Sequence, residues 1–119
     1  METQATQPCA QMPRAEIMAS LNDQLRTTGT GGTIVITSGV QNLTGFNAAT
    51  LCAALSDYDE FDRDNDPYGE RDFGDITLFG ANLLFKFDYY DKDLQFASDD
   101  PTDPAVTNRV LTVMLASDW

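Results

Sequence analysis

A chain of 119 residues is long enough to bury roughly two-thirds of its unfolded surface, so one core that folds without staples is expected. Its apolar fraction is ordinary, so 19 acidic against 7 basic residues, a net charge of -12, is laid over a normal core and does not signal disorder. A field of that sign repels nucleic acid and anionic membrane and favours encounter with basic protein surfaces, which argues against direct nucleic-acid or membrane binding.

Cys9 and Cys52 lie far apart in no ligand-like spacing, no signal-peptide pattern opens the chain, and every apolar run falls well short of the ~20 residues that span a bilayer. A reduced, cytoplasmic setting is the expectation. The acid is unevenly placed. Residues 1–56 hold three acids against two bases, residues 57–119 sixteen against five. Such asymmetry makes a one-sided acidic face geometrically feasible.

In chain order, residues 1–12 are polar and aperiodic and read as a flexible tail ahead of a single domain over 13–119. Pro13 suits a first helical turn, and Ile17, Leu21 and Leu25 recur every four residues beside Met18, which predicts an amphipathic helix ending before the TTGTGG run at 27–32. Thr33-Ile34-Val35-Ile36-Thr37 is β-branched throughout and reads as a buried strand. Thr44 can cap a second helix over about 46–58, with Ala48, Leu51, Leu55 and Tyr58 inward and Cys52 beside them as a core residue.

Residues 57–72 are rich in acid, with Pro67 and Gly69, and predict a long loop. Phe73–Phe79 and Leu83–Tyr90 then read as two strands joined by Gly80-Ala81-Asn82, with Phe85, Phe87 and Tyr89 on the core side and Lys86, Asp88 and Tyr90 toward water. Residues 91–105 form a second acidic connection, in which Leu94 and Phe96 anchor a brief extended piece, and Arg109–Leu115 is a last strand. The fold class that follows is α+β: a largely antiparallel sheet of about four strands with two helices packed on one face.

The strings LNDQLRTTGTGG, DEFDRDNDPYGERDFG and KFDYYDKDLQFASDDPTDPAVTNRVLTVMLASD resemble the bacterial family called domain of unknown function 3768, from about residue 15 to the C-terminus. That family is functionally uncharacterised, so the resemblance implies a scaffold more than a mechanism. Its members often carry histidine where this chain has Tyr68 and Arg71. With no histidine anywhere in the chain, the resemblance implies that any metal or acid–base chemistry run through those positions is lost here.

The same lack excludes Ser-His-Asp and Cys-His arrangements and HExxH zinc sites, and TGTGGTIVITSGV lacks the GK[ST] of a phosphate-binding loop. Asp62, Asp64 and Asp66 start like an oxygen-ligated calcium loop, but the glycine position is Pro67 and the bidentate glutamate position Phe73, so no metal and no cofactor is expected. The leading expectation is a non-enzymatic acidic binding or inhibitor protein. Its partner would be basic and nucleic-acid-binding, engaged by mimicry of nucleic-acid charge in the anti-CRISPR or anti-restriction manner, through Asp57, Asp59, Asp62, Asp64, Asp66, Asp99, Asp100 and Asp103. The alternative is a carboxylate-based or cation-dependent small enzyme, or a cation-binding module, on the 57–72 loop, with a pocket at Glu70, Asp72, Asp88 and Tyr89.

Overall fold

The structure, a computed structural model, describes residues 13–119; the tail expected over 1–12, with Cys9, lies outside the described residues. The elements are α1 (Arg14–Thr28), β1 (Thr33–Ile36), α2 (Ser38–Gln41), α3 (Ala48–Asp57), β2 (Phe73–Leu78), β3 (Ala81–Tyr90), β4 (Asn108–Leu115) and a closing 3₁₀ turn, Ala116–Asp118. The four strands form one sheet in the order β1-β4-β3-β2. β1 runs parallel to β4, and the other two pairings are antiparallel. This is the expected α+β architecture, with α2 as an unforeseen extra turn.

Period-two alternation sets the layers. Leu83, Phe85 and Phe87 on β3 and Leu111 and Val113 on β4 point inward, against Leu25 of α1, Val40 of α2 and Leu51 and Leu55 of α3. Each such side chain, once fully buried, contributes on the order of 1.5–3 kcal/mol. β1 is an edge strand and the helices cover only one face, so Thr33 and Val35 are exposed and β1 is not the buried strand its composition suggested.

Several local expectations are corrected. On α1 the buried residues are Met18, Ala19, Asn22, Leu25 and Arg26, while Ile17 and Leu21 are half-buried. The inward face is therefore turned by one residue, because buried polar partners await Asn22 and Arg26. α3 is capped by Asn47, whose side chain accepts from the Thr50 amide at 3.0 Å, and not by Thr44. Ala48 is exposed. Cys52 is exposed as well: it follows Leu51 by one residue, about 100° around the helix, and so turns to water.

The β2–β3 hairpin turns through Phe79-Gly80, one step earlier than read from the sequence, both residues with positive φ (55° and 74°). The left-handed conformation costs Phe79 roughly 1–2 kcal/mol. Its ring meets Phe46 edge-on at 5.6 Å, which offsets part of that cost.

Where the 57–72 loop leaves α3, Tyr58 is wedged onto the sheet. It packs edge-on against Phe61 (4.9 Å) and Phe85 (5.1 Å), directly over Gly74. A Cβ on Gly74 would stand 2.5 Å from the Tyr58 ring and 2.6 Å from Phe85. Gly74→Ala is therefore expected to cost about 1–3 kcal/mol, the usual range for overpacking. Urea unfolding measures it, and unchanged stability would mean that Tyr58 does not sit on the sheet.

Candidate functional site

The polar centre of the molecule is built where α1 crosses the sheet. Asn22, with no exposed surface, accepts from Arg109 Nε at 2.7 Å and donates to the Tyr89 hydroxyl at 2.9 Å and to the Glu70 carbonyl at 3.0 Å. Arg109, only 2% exposed, also donates from Nη2 to the Pro101 carbonyl at 2.6 Å and lies over the Tyr89 ring at 5.0 Å. One side-chain amide thus ties α1, the 57–72 loop, β3 and β4 together, while Arg109 adds the β3–β4 connection.

A second arginine works beside it. Arg26, 7% exposed, donates from Nη1 to the carbonyls of Leu55 (2.7 Å) and Tyr58 (2.9 Å), at the C-terminal end of α3 where unpaired carbonyls and the negative end of the helix dipole lie. Its Nη2 meets Asp23 Oδ1 at 2.9 Å, and Asp23 Oδ2 receives Arg71 from the loop. Sequence reading missed Asn22, Arg26 and Arg109 as organisers. The one available signal was a polar pair at i and i+4 on an otherwise apolar helix face.

Of the residues expected to form a carboxylate pocket, the fold gathers Glu70, Asp72 and Tyr89 and separates Asp88, which projects from the opposite face of β3 to pair with Lys86 at 2.5 Å. Burial pushes Tyr89 up to about 12, a shift moderated by its bond to Asn22. Burial likewise raises Glu70, with the Asp72 charge adding to the effect and Arg14 (3.8 Å) opposing it. Asp72 is raised for the same first reason, its own backbone amide opposing and Asp66 adding. The tyrosine hydroxyl is already held by Asn22, and none of three clefts of 410–420 Å³ on the surface is lined by Glu70, Asp72 or Tyr89.

The acidic surface residues divide by what their oxygens do. Asp62 Oδ1 accepts the amides of Asp64 and Asn65, Asp66 Oδ1 that of Arg71, Asp100 Oδ1 that of Thr102, and Asp103 Oδ1 that of Ala105. These four build their own turns. The Thr102 hydroxyl and amide hold the exposed Asp100 carboxyl below its ordinary value. Asp57, Asp59, Asp64 and Asp99 are exposed with no internal donor among the described residues. Arg14 pairs with Glu70 of one acidic loop, and its charge acts on Asp100 of the other. Asp57, Asp59, Glu60 and Asp75 instead gather in a separate groove of about 420 Å³ beside β2.

Among the described residues no group of three or more potential ligands is placed to hold a metal, and no helix is long and apolar enough to cross a membrane. The family model described as "Protein of unknown function (DUF3768)" matches residues 36–118, most of the chain, and the chain belongs to that family. No curated protein and no solved structure matches it.

Two outcomes follow from the buried polar centre. Asn22→Ala leaves the Arg109 Nε, the Glu70 carbonyl and the Tyr89 hydroxyl without this partner and should cost on the order of 3 kcal/mol in chemical denaturation; a loss below about 1 kcal/mol would remove Asn22 from the centre. Asp72, whose folded value lies above its unfolded one, contributes stability that is present below the ordinary carboxylate range and lost as pH rises through the folded value. Asp72→Asn should therefore melt higher than the parent at neutral pH, with the gap closing toward about pH 4. A gap independent of pH would contradict the assignment.

Proposed function

We propose that this member of the DUF3768 family is a non-enzymatic binding protein whose acidic half engages a basic surface on a partner protein. The observation that carries the proposal is the groove between the end of α3 and β2, where Asp57, Asp59, Glu60 and Asp75 face a common space beside Ile76 and Thr77 with no lysine or arginine in its lining. Like charges held near one another repel, and a lysine or arginine from outside relieves that repulsion.

The placement of the protein's own cations supports the reading. Arg26 and Arg109 are buried, Arg71 is paired with Asp23, Arg14 with Glu70 and Lys86 with Asp88. Of the seven bases, only Arg63 and Lys92 have no such engagement among the described residues, and neither lines the groove. Asp57 is also the last residue of α3, where a carboxylate meets the negative end of the helix dipole and a base would be favoured. An acid kept at a position that disfavours it suggests a use other than folding.

Nucleic-acid-binding proteins carry basic surfaces of the required kind, and the partner is proposed among them. Asp62, Asp66, Asp100 and Asp103 each commit one oxygen to their own turns, so the proposal rests on ion pairing and not on phosphate spacing.

The test is fluorescence anisotropy with a labelled lysine/serine peptide as probe. Affinity should fall at least about tenfold between roughly 50 and 500 mM salt as screening shortens the reach of the charges. Reversing Asp57, Asp59 and Asp75 to lysine should weaken binding at low salt by a similar factor, while Asp57→Lys alone melts no lower than the parent. Salt-independent affinity would overturn the reading.

A further inference from the structure

We infer that the β3–β4 connection presents Leu94 and Phe96 as apolar anchors inside a carboxylate rim, for a basic partner surface that carries an apolar recess. The inference rests on the binding reading above and adds a second contact region to it, away from the groove beside β2.

Leu94 and Phe96 were expected to anchor an extended piece inward; instead they are 61% and 72% exposed. Tyr90 and Val106 on the flanking chain are also partly exposed. The connection is held by its own hydrogen bonds. Tyr90 bridges Ala97, the Asp91 amide donates to the Phe96 carbonyl at 2.8 Å, and the Leu94 amide donates to the Asp91 carbonyl at 3.1 Å. Asn108 Nδ2 donates to the carbonyls of Asp91 and Lys92, both at 3.1 Å, and Ser98 donates from its amide to Tyr89 and from its hydroxyl to Val106. Leu94 and Phe96 thus stand on a turn fixed from both flanks.

Leu94 also holds φ at 59°, in the left-handed region that a leucine enters at a cost of roughly 1–2 kcal/mol. Asparagine tolerates that conformation better. Local folding alone therefore gives no reason for leucine here, and an exposed, strained, apolar residue is the kind of outlier that points to use by a partner.

Charge selects the occupant. Asp91, Asp93, Asp99, Asp100 and Asp103 belong to the same connection, whose one base is Lys92. A second copy would bring the same five carboxylates against themselves, and an anionic lipid surface would be repelled. A basic surface with an apolar recess satisfies both the rim and the centre, in the pattern of a buried anchor ringed by polar contacts.

The experiment titrates the isotopically labelled full chain with two peptides of equal positive charge, one alternating lysine with leucine, the other lysine with serine. The lysine/leucine peptide is expected to bind about tenfold tighter, which corresponds to about 1.4 kcal/mol, and to move the amide signals of 90–98 and 106. Leu94→Asn combined with Phe96→Ser should abolish that preference while leaving lysine/serine affinity unchanged. Leu94→Asn alone should not lower the melting temperature, which separates lost contact from lost folding. Equal affinities for the two peptides would overturn the anchors yet leave the acidic reading intact, whereas salt-independent binding of both would overturn that reading first. Self-association in sedimentation that disappears in the double variant would reassign the patch to a second copy, and it too would overturn the inference.

Discussion

The carboxamide of Asn22 is the contact on which the arrangement depends. It is fully buried, and its two ends serve three partners from three different parts of the chain: Arg109 on β4, Tyr89 on β3 and the Glu70 carbonyl on the 57–72 loop. A buried guanidinium needs hydrogen-bond partners, and Asn22 supplies Arg109 Nε with its acceptor, which ties the arginine to the position of α1. The tilt of α1 in turn brings Arg26 to the end of α3 and Asp23 to Arg71. The loop that carries much of the acid is thus fastened to the helix layer at Glu70 and at Arg71.

This fastening bears on the charge. A molecule with so few bases has most of them engaged internally, two of them in the core, and the acid outside is correspondingly uncompensated. The acid itself has two uses. Asp62, Asp66, Asp100 and Asp103 accept backbone amides and shape loops, so their presence is accounted for by folding. Asp57, Asp59 and Asp75 stand in a groove without such duties, and a functional account belongs with them.

The connection between β3 and β4 adds apolar surface to that acidic exterior. Carboxylates solvate a loop adequately without help, and two large exposed apolar side chains on it work against solubility. They coexist on a turn pinned by Asn108 and Ser98. Tyr89 contributes to the same design from inside: its hydroxyl is held by Asn22 while its ring supports Arg109, so the base of the connection is rigid.

Sequence alone determined what depends on local pattern. Alternation in Phe85-Lys86-Phe87-Asp88 sets the two faces of β3, the β-branched run makes β1 a strand, and Pro13 and Gly29 bound α1, since period and punctuation act over a few residues. The unusual acidic strings identified the family without revealing a function. Sequence placed Cys52 in the core and Leu94 and Phe96 as anchors, gave Asn22 and Arg26 no role, and fell short for one reason: polarity and apolarity along the chain do not say which partner waits on the other side. Only the tertiary structure decided that Asn22 and Arg109 meet across 87 positions, that Asp88 leaves the company of Tyr89, and that the acidic residues divide between turn building and an open groove. Such pairings depend on how α1 crosses the sheet, a packing geometry that no short stretch of sequence encodes.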